Sequence, residues 1–141
     1  MRQEIEQEWA EEEFGAAEMG DKRLTARLVQ LASVLGEKPQ SSLPDASGEP
    51  ATLKAAYRFF DNDGVTPEGM LHSHIEATYR RMASLKVVLA VQDTTYLDWT
   101  AHPETEGLGP LVSANRQGLL AHSTLAVSEE RVPLGVLAQQ V

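Results

Sequence analysis

The sequence predicts an α+β chain: four helices, then a three-stranded antiparallel meander, with the change near residue 84. Three observations carry that expectation. Leu24, Leu28, Leu31 and Leu35 recur at helical spacing. Pro50 and the Thr66-Pro67-Glu68 run are helix-start signals. From Lys86 onward the pattern becomes short apolar runs separated by turn residues, beginning with Val87-Val88-Leu89-Ala90-Val91.

The first helix is expected over residues 4–18, with Trp9 and Phe14 supplying apolar surface and Glu11-Glu12-Glu13 a solvated face. Asp21 is the expected N-cap of the second, which ends at Gly36 and Pro39. Lys22, Arg23 and Arg27 fall off its leucine stripe and project outward. Residues 37–49 read as loop by composition. In the third helix Leu53, Ala56, Tyr57 and Phe60 mark the buried face, while Lys54 and Arg58 lie one turn apart on another. The fourth runs from Thr66 to about Ala83, with Leu71, Ile75, Thr78 and Met82 inward.

The run Val87–Val91 has the continuous apolar character of a strand covered on both faces, ending at Gln92-Asp93. Residues 98–118 form a loop, 119–127 a second strand and 132–141 a third.

Composition limits the function. The chain has 141 residues, 42% hydrophobic and 23% charged, which suits one ordinary domain or two small ones. The absence of cysteine excludes disulfides, thiolate metal sites and a cysteine nucleophile. The N-terminus is acidic and without an apolar core, so it is not read as a secretory signal, and no apolar run is long enough to span a membrane. The net charge of −9 argues against nucleic acid as a partner, yet the charge is uneven. Residues 1–19 carry seven acids and one base, whereas residues 20–35 set Asp21 against Lys22, Arg23 and Arg27. Screening confines distant charges to about 8–10 Å, so a local basic helix can still meet phosphate.

Asp93 is the sharpest chemical candidate, a carboxylate at the expected end of a buried strand; its bland reading is a turn cap with Thr94 and Thr95. Asp98, Glu104 and Glu106 lie in the following loop without specific spacing. His122 falls mid-strand, His72 and His74 point to different faces of one helix, and His102 is in a loop, so no histidine pair suggests a metal site. Lys22, Arg23, Arg27, Lys54 and Arg58 are candidate phosphate contacts or an ordinary solvated helix surface.

Together these segments resemble a known family. The runs Gly20-Asp21-Lys22-Arg23-Leu24-Thr25-Ala26-Arg27-Leu28 and Ala55-Ala56-Tyr57-Arg58-Phe59-Phe60-Asp61-Asn62 resemble the N-terminal DNA-binding domain of bacterial insertion-sequence transposases of the transposon-five type. Leu89-Ala90-Val91-Gln92-Asp93-Thr94-Thr95 resembles the first strand of their ribonuclease-H-like catalytic domain, and Gly118–Ser123 and Pro133–Leu137 fit the next two. The resemblance implies a helical DNA-binding domain over residues 1–83 and the first three strands of an incomplete ribonuclease-H-like domain over 84–141. It implies a cytoplasmic protein whose partner is the DNA of transposon terminal repeats, contacted by Lys22, Arg23 and Arg27, with Lys54 and Arg58 beside them.

Asp93 matches the first acid of the Asp-Asp-Glu triad that binds Mg²⁺ or Mn²⁺ in this family. The second Asp and the Glu have no counterpart in these 141 residues, so no strand cleavage by this polypeptide alone is expected. Without a later parallel strand, Val87–Val91 becomes an apolar edge that recruits other chains, either a second copy or a full-length transposase. The alternatives are a non-catalytic module that occupies transposon ends and interferes with a full-length enzyme, and an unrelated protein-interaction domain.

Overall fold

The computed structural model describes residues 2–113 and 115–141. Among them are five helices, α1 (Arg2–Phe14), α2 (Lys22–Glu37), α3 (Leu43–Ser47), α4 (Pro50–Phe60) and α5 (Pro67–Met82), followed by four strands, β1 (Val88–Asp98), β2 (Gly109–Pro110), β3 (Gln117–Ser128) and β4 (Pro133–Gln140). The chain divides into two compact units, Met1–Ala77 and Thr78–Val141.

In the first unit the helices begin where local chemistry starts them. Asp21 caps α2 by accepting the backbone N–H of Arg23 at 2.8 Å. The Thr66 hydroxyl accepts the N–H of Gly69 at 3.0 Å at the start of α5. Pro50 opens α4, where its missing N–H costs nothing.

The stretch expected as loop over 37–49 contains α3, a single turn capped by Ser42 with a proline in its first positions. One helical turn is too short to show a periodicity, so only its cap residues announce it. Leu28, Leu31, Ala56, Phe59, Ala17 and Met19 form the core, with Leu24, Phe14 and Met70 packed against it.

Two expectations about facing are corrected here. On α4 Phe59 is buried whereas Tyr57 and Phe60 are exposed; the helix is rotated so that Ala56 and Phe59, three apart, meet the core. Glu13 is not on a solvated face. It is half-buried and lies 2.6 Å from Nδ1 of His74, whose ring stacks on Phe14 at 6.0 Å between centroids. The acid therefore ties the end of α1 to α5.

In the second unit β3 is central and pairs antiparallel with β1 on one side and with β2 and β4 on the other. Register shifts between Thr124 and Leu125, and between Ala126 and Val127, bend the β3–β4 ladder. The last turn of α5 docks on β4, where Arg81 Nε donates to the Leu134 carbonyl at 2.6 Å. Thr78 and Ala126 are fully buried in that unit and Ser128 nearly so.

β1 departs from the expectation in two ways. It runs on past Asp93 to Asp98, because Thr94, Thr95, Tyr96 and Leu97 continue the ladder opposite His122, Ala121, Leu120 and Leu119. β-Branched and aromatic side chains suit a pleated surface. Nor is β1 covered on both faces: Leu89 and Val91 are each 48% exposed, and β3 is its only strand partner among the described residues. A continuous apolar run states that a strand is apolar, not that anything lies over it.

Candidate nucleic-acid interface

Both basic segments of the sequence lie in the first unit. Arg23 and Arg27 on α2, one turn apart, and Lys54 and Arg58 on α4, also one turn apart, line a single groove of about 590 Å³. Phe59 and Asn62 contribute to its wall. Among the described residues, one carboxylate, Asp21, opposes four cations there. The groove is thus a cationic channel in a chain whose net charge is −9.

Each cation is placed by its helix. α2 buries Leu28, Val29 and Leu31 in the unit's core, and Arg27 lies a turn before Leu31 on the flank towards α4. Arg27 Nη1 donates to Oε1 of Gln30 at 2.7 Å. α4 buries Ala56 and Phe59, so Lys54 and Arg58 fall on its exposed side.

Lys22 is not part of this arrangement. It borders a different cavity with Glu11, Glu18 and Met19. Consecutive residues on a helix point about 100° apart, so the structure separates Lys22 from Arg23 even though they are sequence neighbours.

The feature that sequence reading missed is the engagement of Asp21 with Arg23. Arg23 Nε lies 3.3 Å from Asp21 Oδ1 and 3.2 Å from Oδ2, and Nη2 donates to Oδ2 at 2.9 Å. The hydrogen bond from the Arg23 side chain, followed by that from its backbone N–H, holds the Asp21 carboxyl below its ordinary pKa. The same side-chain bond raises that of Arg23. Their two-residue separation across a helix start was the available signal, since an N-cap carboxylate sits within reach of the first-turn side chains.

Asp93 lies in the second unit, mid-way along β1, opposite Ser123 and solvent-exposed. Alternation puts it on the face of Val91 and Thr95. No group of three or more His, Asp or Glu residues able to hold a metal ion occurs among the described residues. Asp93 by itself does not supply the donor set of a Mg²⁺ or Mn²⁺ pair, so the residues present do not fit that cofactor.

The histidines are accounted for structurally. His122 Nδ1 lies 2.8 Å from the Thr94 hydroxyl as a cross-strand pair, His74 is bound to Glu13, and His72 and His102 are exposed. Asp98 belongs to a staple in which it accepts from the Thr100 hydroxyl at 2.6 Å, from the Thr100 N–H at 2.8 Å and from the Arg116 guanidinium. Among the described residues no helix is long and apolar enough to cross a membrane.

Residues 6–65, which hold all four cations of the groove, match the family described as Transposase DNA-binding, and this supports a transposase N-terminal domain with a DNA-binding role in that part of the chain.

Proposed function

We propose that this protein binds the terminal-repeat DNA of a bacterial insertion sequence of the transposon-five type through the groove between α2 and α4. The observation that carries the reading is the convergence of Arg23, Arg27, Lys54 and Arg58 on one channel within the segment similar to transposase DNA-binding domains. Arg27, Lys54 and Arg58 serve as contacts to the phosphate backbone, with Arg23 at the start of α2 and Lys22 outside the groove as a peripheral charge. The acid-rich surroundings repel DNA at long range, so binding depends on close contact and not on steering. The test is a titration of the duplex repeat flanking the protein's own gene over a range of salt. Binding that weakens with salt, at a slope of roughly 0.9 per phosphate contact, supports the reading. Binding that is absent, or indifferent to salt, overturns it.

The reading of the remainder follows the resemblance. A ribonuclease-H-like character for β1, β3 and β4 is supported by the antiparallel order β1–β3–β4, whereas the compact units divide between Ala77 and Thr78 and not near residue 84. On that resemblance Asp93 stands for the first metal-binding acid, while the family's second Asp and Glu have no counterpart in these 141 residues. The function proposed is accordingly DNA binding without cleavage by these residues alone, in a cytoplasmic setting.

A second reading, interference with a full-length transposase, is favoured by one observation. The outer edge of β1, flanked by the exposed side chains of Val87, Leu89 and Val91, has no strand partner among the described residues, and such an edge can pair with another chain.

A further inference from the structure

We propose that Asp21 is a positioning residue that holds Arg23 as a rigid fork for a guanine edge in the DNA major groove, so that Arg23 reads sequence and not phosphate. The inference rests on the DNA-binding reading above and assigns a distinct task to one residue of that groove.

The geometry begins at the helix cap. Asp21 Oδ1 accepts the backbone N–H of Arg23 at 2.8 Å, which ties the carboxylate to the first turn of α2. The same carboxylate receives the Nε and Nη2 side of the Arg23 guanidinium, with Nη2 at 2.9 Å from Oδ2. Backbone, carboxylate and guanidinium close a ring that limits the torsions of a long side chain.

A guanidinium has five N–H donors in a plane. The Asp21 side uses Nε–H and one hydrogen of Nη2. The opposite edge keeps one hydrogen on Nη2 and one on Nη1 pointing in parallel, a spacing that matches O6 and N7 of guanine. That edge is free to meet a ligand, because the Arg23 side chain is 91% exposed.

Charge decides between base and phosphate. Asp21 is ionised at neutral pH, since the bonds from Arg23 hold its carboxyl below the ordinary range. The pair therefore carries no net charge, and its carboxylate would repel a phosphate oxygen brought alongside. A phosphate contact draws on net positive charge and counterion release. A base edge needs oriented donors instead, and those the pair retains. Among the described residues of the groove, Arg27, Lys54 and Arg58 have no carboxylate partner, and they keep the phosphate role.

The test uses the full chain and duplexes of the terminal repeat in which each G·C pair is changed in turn to A·T, and in which single guanines are replaced by 7-deazaguanine. The wild-type chain should prefer guanine at one position by roughly 5- to 100-fold, the range of a bidentate arginine contact. Arg23→Ala should abolish the preference at that position and leave the salt slope as it is, and 7-deazaguanine there should reproduce the loss. Asp21→Ser keeps a capping hydroxyl for α2 but removes the clamp, so it should lower the preference several-fold with α2 intact by circular dichroism.

Three results would overturn the proposal. One is Arg23→Ala weakening every duplex alike and reducing the salt slope by about 1, the signature of a phosphate contact. Another is Asp21→Ser leaving the guanine preference unchanged, which would show that the carboxylate does not position Arg23. The third is salt-sensitive binding with no guanine preference at any position. Failure of the DNA reading itself is distinct, because the wild-type chain then shows no salt-sensitive binding.

Discussion

Gly135 in β4 lies against Thr78 in the last turn of α5, so closely that a Cβ on the glycine would overlap the threonine Oγ1 and approach the Arg81 guanidinium. Its φ of 145° lies outside the range that L side chains adopt comfortably. The contact lets Arg81 reach the Leu134 carbonyl and leaves Thr78 fully buried. Gly135→Ala should therefore destabilise the second unit by about 1–3 kcal/mol, the scale of a strained backbone position. Each unit holds one tryptophan, Trp9 or Trp99. In a Trp9→Phe background, urea unfolding followed by Trp99 fluorescence reads the second unit, and an unchanged midpoint would refute the expectation.

Asp98 provides a pH test. The hydroxyl and then the backbone N–H of Thr100, with help from Arg116, lower its pKa to about 2. An unfolded aspartate titrates near 3.9, so the folded pKa is the depressed one. The stabilisation is present above about pH 4 and is lost as pH falls towards about 2. Asp98→Asn should remove that component, so the difference in melting temperature from wild type should be largest near neutrality and shrink below pH 4. A difference that stays constant with pH would show that ionisation of Asp98 contributes no stability.

The groove cations predict a graded salt response. Lys54→Ala and Arg58→Ala should each weaken binding to every duplex by a similar factor, and each should lower the slope of log K against log salt by about 0.9. Lys22→Ala, outside the groove, should change affinity less than either. A loss at Lys22 equal to that at Lys54 would place the DNA elsewhere on the unit.

The edge of β1 predicts self-association. With Leu89 and Val91 exposed beside a strand edge that has no partner among the described residues, sedimentation should show concentration-dependent association in the micromolar range. Leu89→Lys should suppress it, because a charge on an edge strand discourages pairing. A chain that stays monomeric across that range would remove the support for pairing with a larger transposase.

Much of this architecture is written in short stretches of chain. Asp21, Pro50, Thr66 and Pro67 locate helix starts because capping involves a residue and its next three neighbours. The order of the three long strands follows from alternating apolar runs and the turns between them. Other features required the chain to fold back on itself. Phe59 faces the core and Phe60 the solvent through a rotation of α4 that depends on what α2 presents to it. Lys22 and Arg23 diverge by the helical step alone, but only folding brings Arg23 and Arg58, 35 positions apart, to share a groove. Arg116 reaches Asp98 across 18 residues, and no local pattern announces that pairing. The apolar run of β1 lies exposed because coverage is supplied by whatever packs against a strand, and composition is silent about that neighbour.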